Sequence, residues 1–342
     1  MYLYLKGHSF KYELENVMRN FVRDVRIIDG APGRDDGNVD YAYLRLVKTK
    51  DRQKLLCVVN VNRMQLCKDA VLDADAGDKE QEHELACLLY DLMSCAFRVF
   101  PAWGVITGVR PAKFAMSMLE SGMDEDEVVE RLCTRHRVSE NKARLAAETA
   151  RNGNRLAQYN TPKSYSLYIS IPFCPSRCSY CSFISKTVER DRGIIDRYLE
   201  KLCEELDCSA KIANSLGLKL ESVYIGGGTP TVLTEPQLKT LIDSVAAAFP
   251  LNEAREYTVE AGRPDTVTPE KLEILKEAGV TRISINPQTG DDAVLRGIGR
   301  AHTAKDIEQA FSMARAAGFG IINADIIAGL PNDDIGGFRK TL

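Results

Sequence analysis

The stretch that decides the fold is Ile171-Pro-Phe-Cys174-Pro-Ser-Arg-Cys178-Ser-Tyr-Cys181-Ser-Phe183, which contains three cysteines spaced C-x3-C-x2-C. A closed zinc site or a closed four-iron cluster takes four protein ligands, so this triplet is one thiolate short. Three thiolates on a four-iron cluster leave one iron open to a substrate or a cofactor. The spacing therefore indicates a metal centre with an open coordination position.

Two other interpretations of these cysteines compete with a cluster. Positions 174, 178 and 181 would also share one face of a helix, and free cysteine is a common core residue. However, Pro172 and Pro175 bracket the first cysteine, and Pro175 lacks the N–H that a helix needs. Apolar and polar residues alternate from 167 to 173, which is the period of a strand. The cysteines are thus predicted on a loop after a strand, and a zinc site is disfavoured because no fourth ligand lies nearby.

From residue 166 onward, strand and helix patterns alternate at the spacing of βαβ units. The predicted strands are Leu167–Phe173, Ser222–Gly226, Tyr257–Ala261, Arg282–Asn286 and Ile321–Ile327. The predicted helices are Ile194–Ser215, Glu235–Phe249, Pro269–Ala278 and Thr303–Ala317, with a shorter turn at Asp291–Arg296. This pattern predicts an α/β fold, a parallel sheet curled as a partial (β/α) barrel over residues 161–342, with its active site at the carboxyl ends of the strands. The barrel is expected to be truncated after the fifth strand and C-terminally incomplete, leaving an open edge and a poorly closed pocket.

Residues 1–160 are predicted to form a smaller α+β domain whose role the sequence does not reveal. The predicted strands are Met1–Leu5, Tyr41–Thr49 and Lys54–Val61. The predicted helices are Phe10–Arg23, Glu80–Phe97, Pro111–Ser121, Asp124–Arg135 and Ser139–Tyr159. The stretch 104–113 is predicted to be a structural loop, with Pro111 in the first turn of the helix that follows.

The alternation within the barrel strands places polar side chains on the inner face. Tyr168, Glu260, Gln288 and Asp325 oppose the apolar residues of four strands. Because unpaired polar groups inside a barrel are costly, this inner set indicates a polar ligand. The motif Gly226-Gly-Gly-Thr-Pro230 follows the second strand. It suits either close approach of a ligand to the backbone or an ordinary glycine turn.

The cysteine loop resembles the cluster loop of radical S-adenosylmethionine (SAM) enzymes. The run Tyr168-Ile-Ser-Ile-Pro-Phe-Cys174 and the later motifs resemble the oxygen-independent coproporphyrinogen III oxidase family, specifically its coproporphyrinogen dehydrogenase branch with an extra N-terminal domain. The resemblance implies a [4Fe–4S] cluster on Cys174, Cys178 and Cys181, with SAM on the open iron. The implied reaction is oxidative decarboxylation of two propionates of coproporphyrinogen III, giving protoporphyrinogen IX.

The resemblance also implies roles for the remaining site residues. Glu260 and Asp325 match acids near the sugar of SAM, and Gln288 matches a glutamine after the fourth strand. Arg300 matches an arginine that pairs the cofactor carboxylate, and Tyr168 matches an aromatic hydroxyl beside the cofactor, the candidate catalytic group. The implied cofactor-binding set is Tyr168, Gly226, Gly227, Gly228, Thr229, Glu260, Gln288, Arg300 and Asp325. His302 is expected to serve the start of a helix.

Two departures from the oxidase pattern keep a rival open. The oxidase with decarboxylase activity has a fourth cysteine where this chain has Phe183, and a histidine where it has Ser170. Phe183 is shared with heme-trafficking relatives, so a heme-binding protein on the same scaffold is the alternative. A radical enzyme acting on RNA is a third option that the charge balance disfavours.

Length, charge and cysteine content exclude several classes. A chain of 342 residues is large enough for two domains, and its net charge of −3 gives no basic footprint for nucleic acid. The start has no pattern of a signal peptide, and no apolar run reaches about 18 residues, so no membrane span is expected. Ten cysteines suggest reduced thiols plus a metal site in the cytoplasm. The expected partners are a porphyrinogen substrate and an electron donor such as flavodoxin or ferredoxin.

Overall fold

The computed structural model describes residues 1–33, 39–183 and 186–342. The chain divides into two compact units, Met1–Tyr159 and Asn160–Leu342. No helix of the described residues is long and apolar enough to cross a membrane.

The first unit combines a five-stranded sheet with five helices among its described residues. Its strands are β1 Tyr2–Lys6, β2 Arg26–Asp29, β3 Tyr41–Lys48, β4 Arg52–Val61 and β5 Met64–Asp73, in the order β2-β1-β3-β4-β5. Its helices are α1 Lys11–Arg19, α2 Asp78–Phe97, α3 Pro111–Glu120, α4 Glu125–His136 and α5 Glu140–Ala157. Helices α1 and α2 share a buried apolar cluster with the sheet, whereas α3, α4 and α5 form a second cluster with one another.

Two strands of the first unit were missing from the sequence prediction. Strand β5 pairs antiparallel with β4, and β2 pairs parallel with β1. Both lie at sheet edges, and the side chains of β5 are mostly exposed, so it lacks the regular apolar alternation of a half-buried strand. As predicted, Pro111 begins its helix.

The second unit is a parallel α/β structure. Its main strands are β6 Ser164–Ile171, β9 Lys219–Gly227, β10 Glu256–Glu260, β11 Arg282–Ser284 and β12 Ile321–Asn323, in the order β12-β11-β10-β9-β6. A short parallel pair, β7 Phe173–Cys174 and β8 Lys186–Thr187, lies outside this sheet. The helices are α6 Val188–Ser215, α7 Glu235–Ala248, α8 Pro269–Glu277, α9 Asp292–Gly297, α10 Ala304–Ala316 and α11 Ile335–Thr341. The predicted fold class, a parallel α/β unit after a smaller α+β unit, is confirmed.

Beyond a register shift between Tyr165 and Ser166, alternation along the strands separates the two faces of the parallel sheet. The face packed by the helices is apolar, with Ile169, Ile225, Val259 and Ile283 all buried in one cluster. The opposite face carries the hydroxyl, amide and carboxyl groups. The predicted parity of the strands is therefore confirmed, and the polar groups share one side of the sheet.

Several predicted strands were too long at their carboxyl ends. The first is interrupted at Pro172, which cannot donate a ladder hydrogen bond, and resumes as β7. The fourth ends at Ser284 and the fifth at Asn323, with one further isolated bridge between Gln288 and Ile326. The chain thus leaves regular strand geometry where the polar residues gather.

Candidate active site

The carboxyl ends of the parallel strands surround one cavity of about 170 Å³. Ten of the twelve predicted site residues line it, namely Cys174, Cys178, Cys181, Gly227, Gly228, Thr229, Glu260, Gln288, Arg300 and Asp325. Tyr180, Phe183, Gly262, Arg263 and Asn286 complete the lining. Residues separated by up to about half of the chain therefore meet at this edge of the sheet.

The predicted cysteine loop begins after Cys174, which is the last residue of β7; Cys178 and Cys181 lie on this irregular loop, and all three cysteines are free thiols. The backbone fixes the start of this loop, because Thr229 donates its N–H to the carbonyl of Phe173 at 2.8 Å. The Thr229 hydroxyl lies 3.6 Å from the sulfur of Cys174. The glycine motif and the first cysteine are thus joined directly.

The glycine motif makes room for this contact. A Cβ on Gly228 would lie 2.9 Å from the Cys174 sulfur and 2.6 Å from the carbonyl oxygen of Phe173. Gly227 has a φ of +106°, a conformation that side chains other than glycine rarely adopt. Both glycines are therefore required by the backbone here, in addition to any contact with a ligand.

Glu260 projects from the end of β10 into the cavity and accepts a hydrogen bond of 2.5 Å from the Tyr224 hydroxyl. Burial raises the pKa of Glu260, and the Asp325 carboxylate raises it further, while the Tyr224 bond lowers it. Two carboxyl groups close to one cavity suit binding of hydroxyl or ammonium groups. Because its hydroxyl donates to the Glu260 carboxyl group, Tyr224 orients Glu260.

A chain of amide and hydroxyl groups crosses the inner face next to Glu260. The Ser284 hydroxyl donates to the Asn286 side chain at 2.8 Å and accepts from Asn323 at 3.0 Å. Asn323 also donates to Asp325 at 3.0 Å. Gln288 has a φ of +67°, and its N–H donates to the Asp325 carbonyl at 2.9 Å. Left-handed backbone is uncommon for glutamine and costs free energy, a feature that concentrates at functional sites.

Beside Arg263, Arg300 is the second buried cation that lines the cavity. Its Nη1 donates to the carbonyls of Asn286 at 2.7 Å and Gly262 at 3.1 Å, and Nη2 donates to the Tyr180 hydroxyl at 3.1 Å. Its Nε is buried without a hydrogen-bond partner. Burial raises the pKa of Tyr180 to about 12 although Arg300 lowers it, so this hydroxyl stays protonated near neutral pH. A guanidinium with a spare donor is suited to a carboxylate ligand.

Two predicted residues lie outside the cavity lining. The Tyr168 ring stacks on the Tyr224 ring, with centroids 5.8 Å apart and planes at 16°, and the Tyr168 side chain is 61% exposed. Gly226 lies beneath Glu260 and Tyr224, where a Cβ would come within 2.7 Å of the tyrosine ring. Both belong to the layer that supports Glu260.

Several lining or supporting residues were absent from the predicted site set, among them Tyr224, Asn286, Arg263 and Tyr180. Tyr224 and Asn286 share the inward parity of Glu260, so the alternation pattern was sufficient to identify them. Arg263 and Tyr180 lie on irregular segments that have no period to extrapolate. His302, expected at a helix start, directly precedes the capping residue Thr303 of α10 and is buried.

The donor set of this cavity fits an iron–sulfur cluster with an organic ligand. Three thiols suit the cluster, while carboxylate, amide and guanidinium groups suit an amino acid and a sugar. Within residues 1–33, 39–183 and 186–342, no three His, Cys, Asp or Glu side chains are placed to hold a single metal ion. The three thiols match a cluster by their chemical type and because they line the same cavity as the polar groups.

The chain belongs to the radical SAM superfamily, whose family model matches residues 168–342. Proteins of this superfamily use a [4Fe–4S] cluster and SAM. These two are therefore the cofactors of this protein. The match begins at Tyr168 and contains every residue of the cavity lining.

Individual relatives carry two kinds of name. The chain is 33% identical to the oxygen-independent coproporphyrinogen-III oxidase-like protein HemZ of Bacillus subtilis, over 77% of this chain and 53% of that protein. It is 42% identical to heme chaperone HemW of Bacillus subtilis, over 50% of this chain and 44% of that protein. It is 34% identical to the oxygen-independent coproporphyrinogen III oxidase of Paracoccus denitrificans, over 49% of this chain and 37% of that protein. The chain spans about half the length of these relatives or less.

Proposed function

We propose that this protein is a radical SAM enzyme that decarboxylates two propionate side chains of coproporphyrinogen III, giving protoporphyrinogen IX. The observation that carries the proposal is the convergence of three free thiols and a polar inner sheet face on one cavity. The match to the oxidase-like relative supports it further, because that match extends across 77% of this chain and beyond the radical SAM region.

In this proposal, a reduced [4Fe–4S] cluster and SAM would, when bound, supply the 5′-deoxyadenosyl radical chemistry by which a hydrogen atom is removed from a propionate. Cys174, Cys178 and Cys181 hold the cluster, and Gly227, Gly228 and Thr229 bring backbone and hydroxyl groups against it. Release of carbon dioxide and transfer of one electron from each propionate radical to an external one-electron acceptor would then leave a vinyl group.

The protein groups bind and orient the cofactor without reacting themselves. Arg300 presents its unused Nε–H to the carboxylate of SAM. Glu260 and Asp325 accept hydrogen bonds from the sugar, and Gln288 adds an amide from its left-handed backbone. Tyr168, stacked on Tyr224, lies one layer behind these groups and supports their positions.

Heme binding on the same scaffold is the second candidate. Phe183 stands where the decarboxylating oxidase has a fourth cysteine, and its side chain lines the cavity at 63% exposure. An exposed aromatic ring suits a flat macrocycle, and the heme chaperone relative has the higher identity over its shorter match.

The surroundings of the reaction belong to the proposal as well. Exposed free thiols at Cys67, Cys95 and Cys208 suit a reducing compartment, so we place the protein in the cytoplasm. A small electron donor such as flavodoxin or ferredoxin supplies electrons to the cluster. The net charge of −3 does not favour a nucleic-acid partner.

One experiment separates the two candidates. The protein is reconstituted anaerobically with iron and sulfide, then incubated with SAM, dithionite and coproporphyrinogen III. Decarboxylated vinyl products that appear in step with 5′-deoxyadenosine support the enzyme. Tight heme binding without vinyl products supports the chaperone-like function, and absence of both results overturns both candidates. The Cys174→Ala variant controls for cluster-independent changes.

A further inference from the structure

We propose that Arg263 positions the cysteine loop and donates a hydrogen bond to the sulfur of Cys178, which raises the reduction potential of the cluster bound there. The inference rests on the proposed role of Cys178 as a cluster ligand. Arg263 follows the end of β10, and it was absent from the predicted site.

The guanidinium of Arg263 makes three contacts with the loop. Its Nη2 donates to the Ser176 hydroxyl at 3.0 Å, and Nη1 donates to the Ser176 carbonyl at 3.3 Å. Nη1 also donates to the Cys178 sulfur at 3.8 Å. Only 2% of the residue is exposed, so solvent does not compete for these donors. One planar group therefore fixes both the loop backbone and a sulfur.

Asp265, whose side chain is partly exposed, contacts the guanidinium, and the buried His302 lies against that carboxylate. The Nε of the guanidinium lies 3.4 Å from the Asp265 carboxylate, and the same carboxylate oxygen lies 3.5 Å from Nδ1 of His302. Burial raises the pKa of Asp265, but His302 and Arg263 lower it more, so the carboxylate stays charged. Asp265 and His302 are therefore positioning residues that act through Arg263.

The neighbouring turn holds the other side of the loop. The Ser176 hydroxyl donates to the Gly299 carbonyl at 2.7 Å, and the Ser179 N–H donates to the Ile298 carbonyl at 3.0 Å. A Cβ on Gly299, where φ is +80°, would meet the Arg177 carbonyl at 2.9 Å. The loop is thus enclosed between this turn and Arg263, which leaves the donor little freedom to move away from Cys178.

The sign of the effect follows from charge. One-electron reduction adds negative charge to the cluster and its sulfurs, and a hydrogen bond to a sulfur stabilises that added charge. Asp265 offsets much of the guanidinium's net charge but leaves the directed N–H in place. Arg263 therefore favours the reduced cluster that the proposed reaction requires.

The experiment compares Arg263→Met, Arg263→Lys and Arg255→Lys in the reconstituted protein. Potentials are measured by anaerobic titration with redox mediators, followed by electron paramagnetic resonance of the reduced cluster. Arg255 precedes β10 and pairs with Glu221 at 2.7 Å, which makes Arg255→Lys a matched control outside the cavity lining.

We expect Arg263→Met to bind iron and to show about a tenfold loss in the one-electron reduction equilibrium, which corresponds to about 59 mV towards negative potential. Arg263→Lys should fall between Met and the parent, and Arg255→Lys should match the parent. An unchanged potential in an iron-loaded Arg263→Met protein overturns the inference.

Two further variants keep the test decisive. If Arg263→Met fails to fold, Arg263→Gln keeps a polar side chain but removes the charged donor that reaches Cys178, and an unchanged potential in that iron-loaded variant also overturns the inference. Retention of the full cluster in Cys178→Ala would refute the ligand assignment itself. That result is independent of any potential measured at Arg263, so the two failures are distinguishable.

Discussion

The two five-stranded sheets of this chain bury polar side chains for different purposes. In the first unit, Gln53 donates to the carbonyls of Ala74 at 3.0 Å and Ala76 at 2.8 Å, and Asn60 donates to the Val39 carbonyl at 2.8 Å. Each of these side chains satisfies backbone carbonyl groups of its own unit. In the second unit, the buried polar groups from several strands converge on one cavity. Burial of a polar side chain alone therefore does not identify a site, whereas convergence of several such side chains on one cavity does.

The largest expected effect concerns the cysteines. Cys178→Ala should abolish the brown absorbance and the iron content of the reconstituted protein, because two thiolates do not hold a four-iron cluster. Cys208→Ala, an exposed thiol on α6, is the control and should keep both. If Cys178→Ala binds as much iron as the parent, the cysteines that line the cavity are not distinguished from the other thiols as cluster ligands.

The next effect concerns Arg300. Arg300→Lys should weaken SAM binding by roughly ten- to a hundredfold, because a hydrogen bond to a charged group contributes about 1.5–3 kcal/mol and lysine lacks the fork that reaches three partners. Calorimetric titration of the iron-loaded protein measures this affinity. The iron content should stay at the parental value. Unchanged affinity for SAM would indicate that the buried guanidinium only satisfies backbone carbonyl groups, as Gln53 does.

The first unit provides the converse test. Gln53→Ala should lower the free energy of unfolding by about 1–3 kcal/mol, since the Ala74 and Ala76 carbonyls lose this donor, although Ala76 keeps its bond from Gln81. Iron content and SAM affinity should not change. Urea unfolding measures the stability, and Arg52→Ala, at the exposed start of the same strand, is the control. A loss of iron binding in Gln53→Ala would contradict the contrast between the two units.

The smallest expected effect depends on pH. Because the pKa of Glu260 is raised in the fold, the free energy by which the fold favours its protonated form is fully present below the unfolded pKa. That free energy is lost as the pH rises through the folded pKa. Glu260→Gln should therefore match the parent near pH 4 and become the more stable protein towards pH 8. Urea unfolding of the cluster-free proteins tests this, with exposed Glu308→Gln as control. An advantage that shrinks as pH rises would show that Glu260 is stabilised as a carboxylate.

The sequence was sufficient for the features that depend on local period. The parallel strands, their two faces and the inward position of Glu260 follow from alternation of apolar and polar residues. The cysteine loop follows from its prolines, which exclude a helix. For these features, the local preference and the tertiary structure agree, and the strand positions needed no knowledge of distant contacts.

The missed features depend on contacts between distant segments. Arg263 comes three residues after β10, where the period of two has ended, and its partners lie 85 and 87 residues earlier in the chain. Tyr180 lies within the loop, where spacing does not report which way a side chain points. Strand β5 is mostly exposed and gains its order from pairing with β4, so its own sequence lacks the apolar pattern.

The two-faced sheet limits which length changes evolution can accept in this barrel. An in-frame insertion of one codon within Glu256–Glu260 would reverse the faces of the residues that follow, moving Glu260 among the helix-packed side chains and Val259 to the cavity. A second inserted codon would restore the parity. Insertions and deletions should therefore accumulate in the connections between strands and helices, while these strands vary among homologues by substitution alone.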